Sequence, residues 1–168
     1  MKGFTISGLA GIAFVVANVA AADPLPHQKL GLWLQDTTTM GQRLTSQFCI
    51  DAATQARMSA FSSTMAHSDK CQPGPIVHGA DGSWTNVNTC EFRPGVKRTT
   101  RAVISGDFNS KLTMTLTSLP GGAPIMNMTS TWTGPCKPGQ RGGDVILSNG
   151  MKMNMLDLKA SGPTGVPR

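Results

Sequence analysis

Residues 101–136 read RAVISGDFNSKLTMTLTSLPGGAPIMNMTSTWTGPC, and their pattern decides the fold class. Arg101-Ala102-Val103-Ile104 opens the stretch and Gly106-Asp107-Phe108-Asn109 turns it. Leu112, Met114 and Leu116 then fall on one face of a strand, with Thr113, Thr115 and Thr117 on the other. After Pro120-Gly121-Gly122 a second run sends Met126, Met128 and Trp132 one way and Asn127, Thr129, Thr131 and Thr133 the other. A period of two, with β-branched threonines on the wet face, is the pattern of antiparallel strands buried on one side. Gly134-Pro135-Cys136 closes the run with a cysteine that can staple the sheet to an earlier element.

The flanking segments extend the same pattern. Trp84 to Phe92 alternates, with Trp84, Cys90 and Phe92 on one face and Val87 on the other, and Pro94-Gly95 turns the chain into a strand over Lys97–Ser105. Nearer the start, Lys29 to Leu34 opens a strand with Leu30, Leu32 and Leu34 on one side; Thr37-Thr38-Thr39-Met40 continues it. Gly41-Gln42 turns into a second strand ending at Phe48-Cys49. Asp51 is a helix N-cap, and Thr54, Met58, Phe61 and Met65 behind it keep helical spacing, which predicts a helix over about 51–66. Cys71 to Gly82 reads as loop with a short extended piece at Ile76-Val77. After Cys136 the run Lys137–Gly143 reads as a flexible exit. Val145-Ile146-Leu147 and Met151–Leu158 then flank Ser148-Asn149-Gly150, a hairpin signal. The expectation is a mainly β (α+β) chain: a curved antiparallel sheet or partly open barrel packed around one helix, with two disulfides. Its domain runs over 29–136, with a linker at 23–28 and a Gly/Pro-rich extension with a hairpin at 137–168.

Residues 1–22 read as a cleaved signal peptide: Lys2, an apolar run from Phe4 to Ala20, then Ala20-Ala21-Ala22. The expected mature protein is soluble, in the periplasm or secreted, with no stable membrane anchor. Lys2 is the one charge in that segment, so 15 basic residues become 14 against 9 acidic ones, and +6 becomes +5. The excess is dense only at Arg93, Lys97, Arg98 and Arg101, and there is no tyrosine. A nucleic-acid surface needs a longer basic stripe with interleaved aromatics, so no nucleic-acid partner is expected.

Cys49, Cys71, Cys90 and Cys136 are an even number in a chain expected to be exported, and none lie at metal-ligand spacing. Of three possible connectivities, Cys71–Cys90 with Cys49–Cys136 is favoured. The first pair brackets a Gly/Pro-rich loop and the second ties the front of the domain to the end of the strand array. In the chain-entropy model the short loop is worth about 3 kcal/mol and the long one somewhat more.

Several features in this order resemble the bacterial exported family called domain of unknown function 3617 (DUF3617). They are Gly31-Leu32-Trp33, Cys49-Ile50 before a helix, Cys71 and Cys90 around a loop, Gly106-Asp107-Phe108 before a Thr/Met-rich strand pair, and Trp132-Thr133-Gly134-Pro135-Cys136. The resemblance covers roughly Leu30 to Asp157. It implies an exported β-rich body with one helix, and no catalytic residues.

The chemistry-bearing residues are sparse. His27, His67 and His78 are scattered, with Asp69 and Asp81 near two of them, and no Gly-x-Ser-x-Gly elbow exists. Cys49 precedes a helix start, where a thiolate is favoured, but export and the even count assign it to a disulfide. No catalytic residue and no cofactor is expected. Met151, Met153 and Met155 form the weak candidate metal site, since thioethers suit Cu(I); alternation in a strand explains Met114, Met126 and Met128 as packing. The leading expectation is a non-enzymatic binder of an apolar or amphiphilic small molecule, or of a partner protein. Its expected site is the sheet face of Leu112, Met114, Leu116, Met126, Met128 and Trp132.

Overall fold

A computed structural model describes residues 25–58 and 71–157. They form nine strands: β1 (Gly31–Thr39), β2 (Gln42–Ile50), β3 (Cys71–His78), β4 (Trp84–Arg93), β5 (Val96–Gly106), β6 (Lys111–Leu119), β7 (Pro124–Gly134), β8 (Asp144–Leu147) and β9 (Lys152–Asn154). One antiparallel sheet holds all of them in the order β3-β4-β5-β6-β7-β1-β2-β8-β9. β3 and β9 are its edges and do not pair with each other, so the curved sheet stays open. The stretch 101–136 supplies its centre, as alternation requires.

Antiparallel pairing makes directly opposite residues share a face, so the register lays out the inner surface in rows. One row runs Trp84, Ile104, Met114, Met128, Thr37, Leu44, from β4 across to β2. The next runs Asn86, Ala102, Leu116, Met126, Thr39, Gln42. Another runs Leu112, Ser130, Gln35, Ser46, Leu147. The opposite face carries Thr113 against Thr129 and Thr115 against Asn127, the expected wet side.

The buried core is Trp33, Ile50, Trp84, Ala102, Ile104, Phe108 and Leu112, with Leu25, Phe48, Ile76, Met114, Leu116, Met128 and Trp132 packed against it. It gathers at the end of the sheet where β2 finishes and the β5–β6 turn sits. Trp33 is therefore the residue of β1 that joins the main core and is fully buried; of the expected Leu30-Leu32-Leu34 set Leu32 is buried, while Leu30 is half exposed and Leu34 partly buried. Phe108 seals this end from a left-handed backbone (φ 57°), a conformation that costs about 1–2 kcal/mol for an L-residue. The Asp107 carboxylate holds the turn by accepting the N–H groups of Asn109, Ser110 and Lys111, and burial of the Phe108 ring offsets the cost.

The described part of the expected linker, residues 25–28, forms a strap together with Lys29 and Leu30. Leu25 packs on the core, Lys29 N–H donates to the Phe108 carbonyl (2.8 Å), and the Trp33 and Trp132 indoles donate to the Lys29 and Leu30 carbonyls. Gly31 is required beneath it (φ 130°), since a Cβ there would strike the Gly134 carbonyl and the Trp132 indole nitrogen.

Two expectations change. The helix is α1 (Ala52–Arg57), capped by Asp51 as expected but ended by Met58 in extended backbone. Its one buried residue is Thr54, so no apolar stripe docks it, and short helices depend on such docking. The sheet is thus not packed around a helix among the described residues; 59–66 of the expected helix and His67 lie outside them, as do the signal segment 1–22 and Asp69. The expected loop from Cys71 is the edge strand β3, which pairs with β4 across a bulge between Pro73 and Ile76. Both disulfides form as expected, Cys49–Cys136 and Cys71–Cys90. The C-terminal hairpin β8–β9 adds to the same sheet through β2.

Candidate functional site

Away from the packed end, Asn86 and Ala102 are buried on the inner face and the other described side chains there are partly or fully exposed. Met114 lies directly opposite Met128 and Leu116 opposite Met126, giving an apolar square on β6 and β7. All four are partly buried. Thr37 and Thr39 of β1 border the square on one side, and Ile104 and Ala102 of β5 on the other. Exposure rises along the row from Ile104 at 0% to Leu44 at 46%, so the apolar lining opens toward β2. Beneath the square, Ser130 is fully buried and its hydroxyl has no hydrogen-bond partner. An unpaired buried hydroxyl costs about 1–3 kcal/mol.

The expected binding residues separate into two groups. Met114, Leu116, Met126 and Met128 come together as one surface. Leu112 is core at its floor. Trp132 is held at the packed end, where its indole N–H donates to Leu30 and the Lys29 ammonium sits 3.6 Å over its ring. Leu44, Thr37 and Thr39 extend the site and were missed in the sequence. The signal available was the β1–β2 hairpin beside the central pair: once β1 follows β7 in the sheet, their alternation places them on the square.

The other candidates lie apart. His78 stacks on Trp84 (4.2 Å between centroids) at the packed end, and His27 is in the strap. Among the described residues no three His, Cys, Asp or Glu side chains converge as a metal site. In the C-terminal hairpin Met153 lies opposite Val145, Met151 is exposed in the turn before β9, and Met155 follows β9 with its N–H on the Gly143 carbonyl.

The carboxylates have structural partners. Asp107 is held well below the usual carboxyl range, first by the Ser110 hydroxyl and then by backbone N–H groups. Asp36 is lowered by the Thr45 hydroxyl and by Arg43, and Asp81 by Ser83. Asp144 is 1% exposed. Burial raises its pKa, but the side chains of Lys152 and Asn154, the Arg141 N–H and the Lys152 charge outweigh this and hold it at about 2. The ammonium of Lys152 lies 2.8 Å away, so this cluster pins β8 to β9. These groups cap turns and join strands; none faces the apolar square.

The family model described as a protein of unknown function (DUF3617) matches residues 26–136, more than half of the 168-residue chain. The chain belongs to that family. No curated protein and no solved structure matches it. Among the described residues no helix is long and apolar enough to cross a membrane.

Proposed function

We propose that this DUF3617 member is an exported, non-enzymatic protein that holds the apolar part of a small amphiphile against the Met114–Leu116–Met126–Met128 square. One observation carries the reading: the inner face is a sealed core at one end and a partly exposed apolar lining at the other. Thioethers suit such a lining because Met has three rotatable bonds and repacks around varied shapes. A concave apolar wall with a few polar groups is the usual make-up of a small-molecule site. Thr37 and Thr39 supply those groups here. Export to the periplasm or beyond is part of the proposal, supported by the 1–22 pattern and by two disulfides, which persist in oxidising compartments.

The test is mass spectrometry of organic extracts from gently purified mature protein, with titration of an environment-sensitive apolar dye alongside. Leu116→Glu places a charge in the square, and it is expected to abolish dye uptake while the far-UV spectrum is retained. An empty extract together with no dye uptake by the wild type would defeat the reading. Reproducible hydrolysis lost on mutating one His would replace it with an enzyme.

A further inference from the structure

We infer that the inner-face site selects an amphiphile whose head is uncharged and bears hydroxyl groups, as in a monoacylglycerol, over a fatty carboxylate or a quaternary ammonium of the same chain length; the inference rests on the preceding reading and names its ligand class. Beyond the inner rows already described, Asn88, Thr100 and Ser118 form the next row on β4, β5 and β6. Ser118 follows Leu116 on the same face, so this row borders the apolar square at one end, while Thr37 and Thr39 border it along β1. From Ser118 to Met114 the wall runs four residues, about 14 Å, enough for a medium-length alkyl chain.

Two features of this border point to a neutral head. The first is charge. Among the described residues, no position of these four rows, from β4 across to β2, is Asp, Glu, Lys or Arg. The charged residues of the same strands fall on the outer face. Asp36 lies between Gln35 and Thr37, Arg43 between Gln42 and Leu44, and Arg101 between Thr100 and Ala102, so alternation turns each away. Arg98, one row farther along β5, has a partner of its own, and His78 at the β3 edge stacks on Trp84. A carboxylate or ammonium drawn onto this face would leave water without gaining a counter-charge, and an unpaired charge is costly to bury.

The second is hydrogen bonding. Thr37, Thr39, Thr100 and Ser118 are all partly exposed, and among the described residues their hydroxyls have no hydrogen-bond partner. Asn86, in contrast, is committed: its amide donates to the Gly74 carbonyl at 2.7 Å and to the Pro75 carbonyl at 3.3 Å, which fastens β3 to the sheet. A hydroxyl both donates and accepts, so these four side chains can meet the hydroxyls of a neutral head in either sense. A carboxylate only accepts, and a quaternary ammonium does neither, so neither ion uses the border fully. Hydroxyls around an uncharged apolar wall therefore match a polyol head on an alkyl chain.

The experiment is displacement of a neutral apolar dye, Nile red, from the mature protein by monodecanoylglycerol, decanoate and decyltrimethylammonium, each below its micellar concentration at neutral pH. The glyceride is expected to displace the dye at about tenfold lower concentration than either ion. Ser118→Lys supplies a counter-charge at the border and should shift the preference toward decanoate, relative to the glyceride, by about three- to fivefold. Thr39→Lys should shift it in the same direction from the β1 side, and Thr115→Lys on the outer face should leave it unchanged. Decanoate or decyltrimethylammonium displacing the dye from wild type as well as the glyceride would overturn the inference. So would Ser118→Lys and Thr39→Lys both keeping the wild-type preference, or Thr115→Lys shifting it equally. If the dye binds and the three amphiphiles compete alike, only the head selection fails; if no dye binds, the ligand reading fails with it.

Discussion

Replacing Asp144 by Asn should loosen the C-terminal hairpin, and the size of the effect follows from its contacts. The carboxylate is buried and accepts hydrogen bonds from the Arg141 N–H at 2.9 Å, the Asn154 amide at 2.9 Å and the Lys152 ammonium at 2.8 Å. Asn keeps one acceptor and turns an amide donor toward cations. Lys152 and Arg141 are each about half exposed or more, so both can turn to water, and no buried unpaired charge is left behind. The expected cost is therefore that of a lost charge-assisted contact, about 1.5–3 kcal/mol, and not the larger penalty of a broken buried pair. Only β2 joins the hairpin to the rest of the sheet, so amides of β8 and β9 should lose exchange protection before those of β5 and β6. The pH dependence has a definite sign. The folded pKa of about 2 lies below the ordinary 3.8, so the stabilisation is full above about pH 4 and is lost as pH falls through about 2. Other carboxylates titrate in the same window, but they are common to both proteins and cancel in the difference. Urea unfolding of wild type and Asp144→Asn from pH 6 to pH 2 should give midpoints that converge on acidification. Equal midpoints at pH 6, or a gap that survives below pH 2, would refute the reasoning.

Other outcomes follow from the division of the inner face. Leu112→Ala should cost about 2–5 kcal/mol, because Leu112 is core; Leu116→Ala on the partly exposed square should cost less and lower dye affinity more, by urea titration and dye binding. Replacing Met151, Met153 and Met155 together by Leu should leave Tm nearly unchanged, and competition with a Cu(I) chelator should show no difference from wild type. In that segment Met153 lies across from Val145 and only Met151 is well exposed.

The central stretch was legible because alternation is a local property. Leu112, Met114 and Leu116 had to share a face once β6 was a strand, and Met126 and Met128 had to face them once Pro120-Gly121-Gly122 made the turn. The disulfide pairing was legible because two staples in one sheet leave few sensible arrangements. What stayed hidden was set by partners far along the chain. Trp33 becomes core because β7 and β2 flank β1, which Leu30, Leu32 and Leu34 alone do not reveal. β3 becomes a strand because β4 offers it a ladder; its two prolines and Gly74 have weak strand preference. The helix pattern counted apolar spacing without asking what α1 would dock against: Met58 is in extended backbone and α1 offers only Thr54 as a buried residue, while Phe61 and Met65 lie outside the described residues. Leu44 joins the site through the β7–β1 pairing, a contact between the two ends of the matched domain.

The open sheet itself bears on function. An unclosed sheet has two edges that can recruit other strands, and both are blunted here. β9 is three residues long, and β3 carries Pro73 and Pro75, which have no N–H to offer, while Cys71–Cys90 ties its first residue to β4. One end of the inner face is sealed by Phe108 and the strap from Leu25 to Leu30, and the outer face is covered with threonines. With the edges guarded and one end sealed, the Met114–Leu116–Met126–Met128 square is a partly exposed apolar surface on the inner face. In the proposed reading, the open side of this lining is where the apolar part of the ligand enters. Closing it experimentally makes the point testable in the same dye assay: bulky Phe at Thr37 and Thr39 should fill the mouth, raise Tm and abolish uptake together.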